Sequence, residues 1–302
     1  MVEINLSDIE RQNIMSQYYA VLEKWMKSRR SNSRMFAYYK NHLRHFVCSS
    51  PDDLLVVHND FVTHYKNYID KYNAATDKIK PKTAFGKFCN YMRHLYVTFM
   101  DDRTWESSRK NGYVLMEKMG ISVCPYCNRS YTSVIDNGGV NVRVEFDHFF
   151  PKSEYPLLAL SFYNLVPSCP TCNHLKKEEI LSHNPWTKYG KDKPVFKVDT
   201  SKDLFPSNPE IIIENENLNT QKLGIKQLYN THKDYVSDIL NRIQAYNPAT
   251  YSAIANDFQG VLSETDLQRI IWGNYTDEVD EMKRPLSKLT VDILEQFKKY
   301  IP

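Results

Sequence analysis

The chain has 302 residues, of which 42% are apolar and 25% charged, with a formal charge of +3. That composition buries an ordinary core in one large or two ordinary domains and excludes a chain disordered throughout. No apolar run reaches the roughly 18 residues of a membrane span, and Met1-Val2-Glu3-Ile4-Asn5 lacks the basic start of a signal peptide, so a cytoplasmic protein with no membrane contact is expected.

Residues 1–120 read as helix after helix. Ser7 and Glu10 make a capping box ahead of Ile14, Tyr18, Leu22, Trp25 and Met26, which recur at helical spacing. A second helix is expected over about Ser33 to Val47. Ser50-Pro51-Asp52-Asp53 supplies a cap, a first-turn proline and acids at the positive end of the dipole, and so marks another start. Further helices are expected from about Lys82 to Met100 and from about Thr104 to Met119, with Gly120 as a stop. Lys and Arg outnumber Asp and Glu by 19 to 13 in residues 1–123, against 17 to 19 in residues 173–302, a bias that fits an anionic partner. Arg29, Arg30, Arg34, Lys40 and Arg44 interleave with Trp25, Phe36, Tyr38 and Tyr39. That stretch reads either as a nucleic-acid surface or as the solvated face of an amphipathic helix pair.

The texture changes at Ser122. Residues 131–135 and 140–146 alternate or are β-branched, and the turn residues Asp136-Asn137-Gly138-Gly139 between them predict a hairpin. A proline-containing loop, a short apolar run at Leu165-Val166-Pro167 and a helix from about Asn173 to Leu181 are expected next. Residues 184–209 look irregular, Ile211 to Ile213 could be a strand, and a long amphipathic helix is expected from about Gln221 to Tyr246. More helices close the chain, ending at Val291 to Tyr300. The expected fold is mainly α with a small ββα unit, divided into residues 1–120, 121–185 and 186–302.

Four of the six cysteines form two C-x-x-C pairs, Cys124/Cys127 and Cys169/Cys172, with 41 residues between them. In a reducing compartment such pairs read as metal ligands, and four thiolates close a tetrahedral Zn²⁺ site, so the quartet predicts a structural zinc. Cys48 and Cys89 stand alone and read as buried apolar residues. The segment between the pairs ends a strand on Asp147-His148. Histidine has the pKa of a general base near neutral pH, and a carboxylate suits Mg²⁺, as phosphodiester hydrolysis requires. The second pair runs into a helix with Asn173 and His174 in its expected first turn, followed by Lys176 and Lys177, which could face phosphate.

The ordered set C-x-x-C, D-H-x-x-P-K-S, N-L-V-P and C-x-x-C-N-x-x-K over residues 124–177 resembles the HNH endonuclease family, in the branch whose ββα-metal fold is held by two zinc knuckles. His183-Asn184-Pro185 and the Leu223–His232 segment are similar to HNH effectors of prokaryotic anti-phage systems such as Septu and some retrons. The resemblance implies His148 as general base, Asp147 as ligand of a catalytic Mg²⁺, and Asn164 as the brace that orients His148. The family's last histidine falls on Asn173, which takes the second ligand position, with His174 as the alternative. Lys152, Lys176 and Lys177 are the implied phosphate contacts. The implied function is metal-dependent DNA cleavage, with an ABC- or SMC-like ATPase as possible partner. Two other readings stay open: a non-catalytic zinc module binding nucleic acid or protein, and an RNA-cleaving toxin.

Overall fold

The computed structural model describes residues 2–136, 141–143 and 145–301, in which helices dominate and strands form three two-stranded sheets. Contacts group the chain into two units, one of residues 6–120 and 133–180, the other of residues 1–5, 121–132 and 181–302. The boundaries therefore differ from three consecutive segments, because residues 121–185 are shared between the units.

In the first unit the Asp8–Lys27 helix begins on the capping box, with the Ser7 side chain and Glu10 each accepting the other's backbone N–H. Its buried stripe of Ile14, Tyr18, Leu22, Trp25 and Met26 packs aromatic rings against Phe99, at 5.8 Å from Tyr18 and 5.2 Å from Trp25. The stretch expected as one helix from Ser33 to Val47 is two, Arg34–Asn41 and Leu43–Cys48, because His42 leaves helical geometry and bonds back to the Tyr38 carbonyl. Ser50 and Asp53 close a turn ahead of the Leu54–His64 helix.

The Ala84–Asp101 helix starts on Thr83, whose hydroxyl accepts the Gly86 N–H. Gly86 is required, since a Cβ there would lie 1.9 Å from the Lys80 carbonyl oxygen. The next helix begins at Asn111, not near Thr104. Asn111 explains the delay: buried completely, it donates to the Phe99 carbonyl at 2.9 Å and accepts from Trp105 N at 2.9 Å, holding residues 102–110 as a closed loop. Gly120 ends that helix in the left-handed conformation, as expected.

The predicted hairpin forms between Val134–Asp136 and Asn141–Arg143, in register Val134 to Arg143; its turn at residues 137–140 lies outside the described residues. The strand continues differently than expected. Glu145–His148 pairs with Leu165–Ser168, setting Asp147 opposite Val166 and His148 opposite Leu165. The Pro170–Lys176 helix follows and packs against Glu145–His148.

In the second unit Val195–Val198 pairs with Ile211–Glu214. The Ser287–Gln296 helix covers the exposed ladder edge: Asp292 accepts from Phe196 N at 2.8 Å, and Gln296 both accepts from and donates to Val198. The long helix expected from Gln221 to Tyr246 is three, Leu218–Lys222, Ile225–Tyr229 and Lys233–Ala245. Gly224, at φ 57°, makes the first break, and His232 makes the second. Among the described residues no helix is long and apolar enough to cross a membrane.

His58, in the first unit, lies with its ring 4.8 Å from Tyr155, and burial pushes its pKa down to about 4. Because the unfolded histidine titrates near 6.5, this group's contribution to stability is intact above that pH and declines as pH falls toward 4. The melting temperature is expected to drop between pH 7 and pH 5, and less steeply in His58→Phe; equal slopes in thermal melts would show that His58 is not responsible.

Candidate metal centre and catalytic cleft

The sulfurs of Cys124, Cys127, Cys169 and Cys172 lie within 4.8 Å of one another, and all four residues are buried. Around a tetrahedral zinc with Zn–S near 2.3 Å the sulfurs stand roughly 3.8 Å apart, so the quartet could hold one such ion. Cys89 is buried and burial pushes its thiol up to about 12, as fits an inert core residue, whereas Cys48 is half-buried.

The first knuckle is built on Asn128. This residue takes a φ of 51°, which asparagine tolerates better than most side chains, and is fully buried. Its amide accepts from Lys288 N at 3.0 Å and donates to the Glu281 carbonyl at 2.6 Å, while its own carbonyl accepts from Leu286 N at 2.6 Å. Tyr229 donates its hydroxyl hydrogen to the Cys127 carbonyl, and Arg129 Nε donates to His232 Nε2 at 2.9 Å. The Leu223–His232 segment thus supports the knuckle. Asn128→Ala is expected to cost about 3 kcal/mol or more, from two lost side-chain bonds and the left-handed backbone. Asn128→Gly should recover only the backbone part; denaturant melts of the three proteins check this.

The second knuckle belongs to a helix that starts earlier than expected. Cys169 caps it, Pro170 occupies its first turn, and the Asn173 N–H already bonds to the Cys169 carbonyl at 3.0 Å. Asn173 therefore offers its side-chain amide and not an exposed backbone N–H. The helix ends at Lys176 because Lys177 adopts a positive φ of 49°.

A cleft of about 390 Å³ opens beside this helix, lined by Tyr96, Glu145, Asp147, His148, Lys152, Asn173 and Lys177 among others. Asp147 and His148 are nearly buried, at 3% and 5% exposure. His148 Nε2 lies 3.0 Å from the Ala159 carbonyl oxygen. A carbonyl only accepts, so Nε2 carries the proton and Nδ1 keeps the lone pair. The Tyr96 ring meets the imidazole edge-on at 4.5 Å. Burial, joined by the charge of Lys152, pushes the His148 pKa down to about 3, so the ring is neutral at neutral pH.

Asn164 is fully buried and holds the loop behind the imidazole. Its side-chain oxygen accepts from Phe150 N at 2.7 Å, and its amide donates to the Phe150 carbonyl at 3.1 Å and the Leu158 carbonyl at 3.0 Å. Leu158 adjoins Ala159, the residue that bonds His148, so the asparagine fixes the oxygen that sets the tautomer.

The predicted phosphate lysines divide. Lys152 and Lys177 line the cleft, the former 5.1 Å over the Tyr96 ring. Lys176 does not: it has no exposure, donates to the His148 carbonyl at 2.8 Å and pairs with Asp147 Oδ2 at 3.2 Å. Its assignment as a phosphate contact is corrected, because an ammonium held by two internal oxygens has no path to a substrate. Asn173 lines the cleft and donates to Glu145, whereas His174 is exposed and not among the lining residues. His183, in the other unit, stacks on Tyr189 at 3.4 Å and bonds the Thr187 carbonyl.

Five lining residues were not anticipated: Tyr96, Glu145, Phe146, Pro151 and Glu178. Glu145 could have been, since strand alternation sends positions 145 and 147 to one face. Tyr96 comes from a helix far upstream and leaves no local signal. The basic stretch is largely used internally: Arg29 stacks on Trp25 at 4.0 Å and pairs with Asp102, Lys40 bonds the Arg29 carbonyl, and Arg44 lies over Tyr19.

No family model matches the chain, and no solved structure matches it. The chain is similar to protein ea31 of Escherichia phage lambda, with 26% identity over 149 residues, which cover 45% of this chain and 47% of that protein. The chain thus spans about half the length of the relative it matches.

Proposed function

We propose that the protein is a metal-dependent HNH-type endonuclease that hydrolyses phosphodiester bonds of DNA. The observation that carries the reading is the convergence of Asp147, His148 and Asn173 on one cleft, with His148 kept neutral by burial and its tautomer fixed by Ala159 on the Asn164-braced loop. The two strands 145–148 and 165–168 and the 170–176 helix supply the ββα scaffold of that reading. The donor set fits a hard cation: the Asp147 carboxylate and the Asn173 amide oxygen, with the Glu145 carboxylate beside them, are all oxygen ligands.

Asp147 and Asn173 would hold a divalent ion such as Mg²⁺, which would supply positive charge to the oxygen that leaves the phosphate. The chain's own groups do the rest. Nδ1 of His148 takes a proton from the water that attacks phosphorus; burial keeps the ring neutral beforehand, and the bond to Ala159 places its one proton on Nε2. Lys152 and Lys177 face the cleft, where they neutralise flanking phosphates. The cysteine quartet, as a closed zinc site, anchors the helix that carries Asn173 and takes no part in the chemistry.

The role as an anti-phage effector beside an ABC- or SMC-like ATPase rests on the resemblance of His183-Asn184-Pro185 and of the Leu223–His232 segment, the second of which also supports the first knuckle. Incubating the protein with supercoiled plasmid and with total RNA, each with Mg²⁺ or with EDTA, tests the reading. Plasmid cleavage that EDTA blocks is expected. Cleavage confined to RNA would replace DNA as the substrate, and no cleavage of either would favour a non-catalytic zinc module.

A further inference from the structure

The geometry points to Lys176 as a positioning residue whose buried ammonium weakens divalent-ion binding at Asp147 while it holds Asp147 and the His148 backbone in place; this rests on the nuclease reading of the cleft. Lysine is rarely buried without partners. Here two oxygens receive it, the His148 carbonyl at 2.8 Å and Asp147 Oδ2 at 3.2 Å. Lys176 stands one helical turn after Cys172, and both are buried, so one helix face carries the thiol and the ammonium together. The helix is thereby pinned to the strand at the two residues that matter for the chemistry.

Two consequences oppose each other. The ammonium fixes the direction of the carboxylate, which favours a productive site. A divalent ion arriving at Asp147 must also share that carboxylate with a cation already bonded to one of its oxygens, and like charges this close repel strongly in a low-dielectric setting. Lys176 therefore trades affinity for orientation. A residue that merely filled space would affect neither in opposite directions.

Lys176→Gln separates these roles, because the amide can still donate to the His148 carbonyl but carries no charge. On zinc-loaded full-length protein, calorimetric titration with Mn²⁺ is expected to show binding about tenfold tighter in Lys176→Gln than in wild type. Plasmid cleavage at saturating metal should fall by about tenfold or more with the DNA KM unchanged. Mn²⁺ affinity that is unchanged or weaker overturns the inference. So does a loss of DNA affinity with a salt slope reduced by about one, the signature of a phosphate contact. Wild-type protein that takes up no Mn²⁺, or Asp147→Asn that takes it up equally, overturns the nuclease reading itself and is distinguishable from both. If Lys176→Gln does not fold, the wild-type protein still decides: a buried lysine ammonium resonance in ¹⁵N NMR should shift when Mg²⁺ is added, and an unmoved resonance at saturation overturns the inference.

Discussion

His148→Ala is expected to lower cleavage by roughly 10²-fold or more, with the fold and the zinc content retained. Among the described residues the ring's hydrogen bond is to the Ala159 carbonyl, and the backbone carbonyl keeps the bond from Lys176 whatever side chain the residue carries. The substitution removes the lone pair at Nδ1, together with the bond to Ala159 and the edge contact with Tyr96. The loss should appear in kcat, since neither Lys152 nor Lys177 is touched. Cleavage rates measured on plasmid under saturating metal, together with a thermal melt, check the prediction, and an active His148→Ala protein would remove the base from the scheme.

Cys172→Ser is expected to have a different kind of effect. The sulfur is fully buried among three other thiols, and a serine hydroxyl does not replace a thiolate on zinc. The protein should lose its zinc and melt markedly earlier, and its cleavage should fall because the same helix carries Asn173 and the Lys176 anchor. Metal analysis of the purified variant reads the first effect and calorimetry the second. Normal zinc and a normal melt would mean that the quartet is not a metal site.

What could be read from residues alone was whatever is settled within a few positions. The Ser7–Glu10 capping box, the Gly120 stop, the Val134–Asp136 hairpin strand and the cysteine knuckles are all of this kind, and each is observed. The failures involve partners distant in sequence. A lysine two residues from an exposed histidine reads as a surface cation, and only the approach of strand 145–148 makes Lys176 internal. The loop at residues 102–110 exists because Asn111 satisfies both Phe99 and Trp105, and no periodicity announces that. The break at Gly224 falls on a glycine, yet the apolar spacing on either side predicts an unbroken helix. Asp147, His148 and Asn173 in the cleft, and Asn164 behind it, stand out by motif, while Tyr96 joins the cleft only through the packing of the Ala84–Asp101 helix.

The central claim is that the cleft holds a divalent ion that cleavage needs and that is separate from the zinc of the cysteine quartet. Dialysis to remove loosely held metal, followed by plasmid cleavage assays before and after Mg²⁺ is restored, with zinc measured in the same samples, tests it directly. The account predicts no cleavage before, cleavage after, and zinc unchanged throughout. Cleavage without added divalent ion, or activity that follows the zinc content alone, would contradict it.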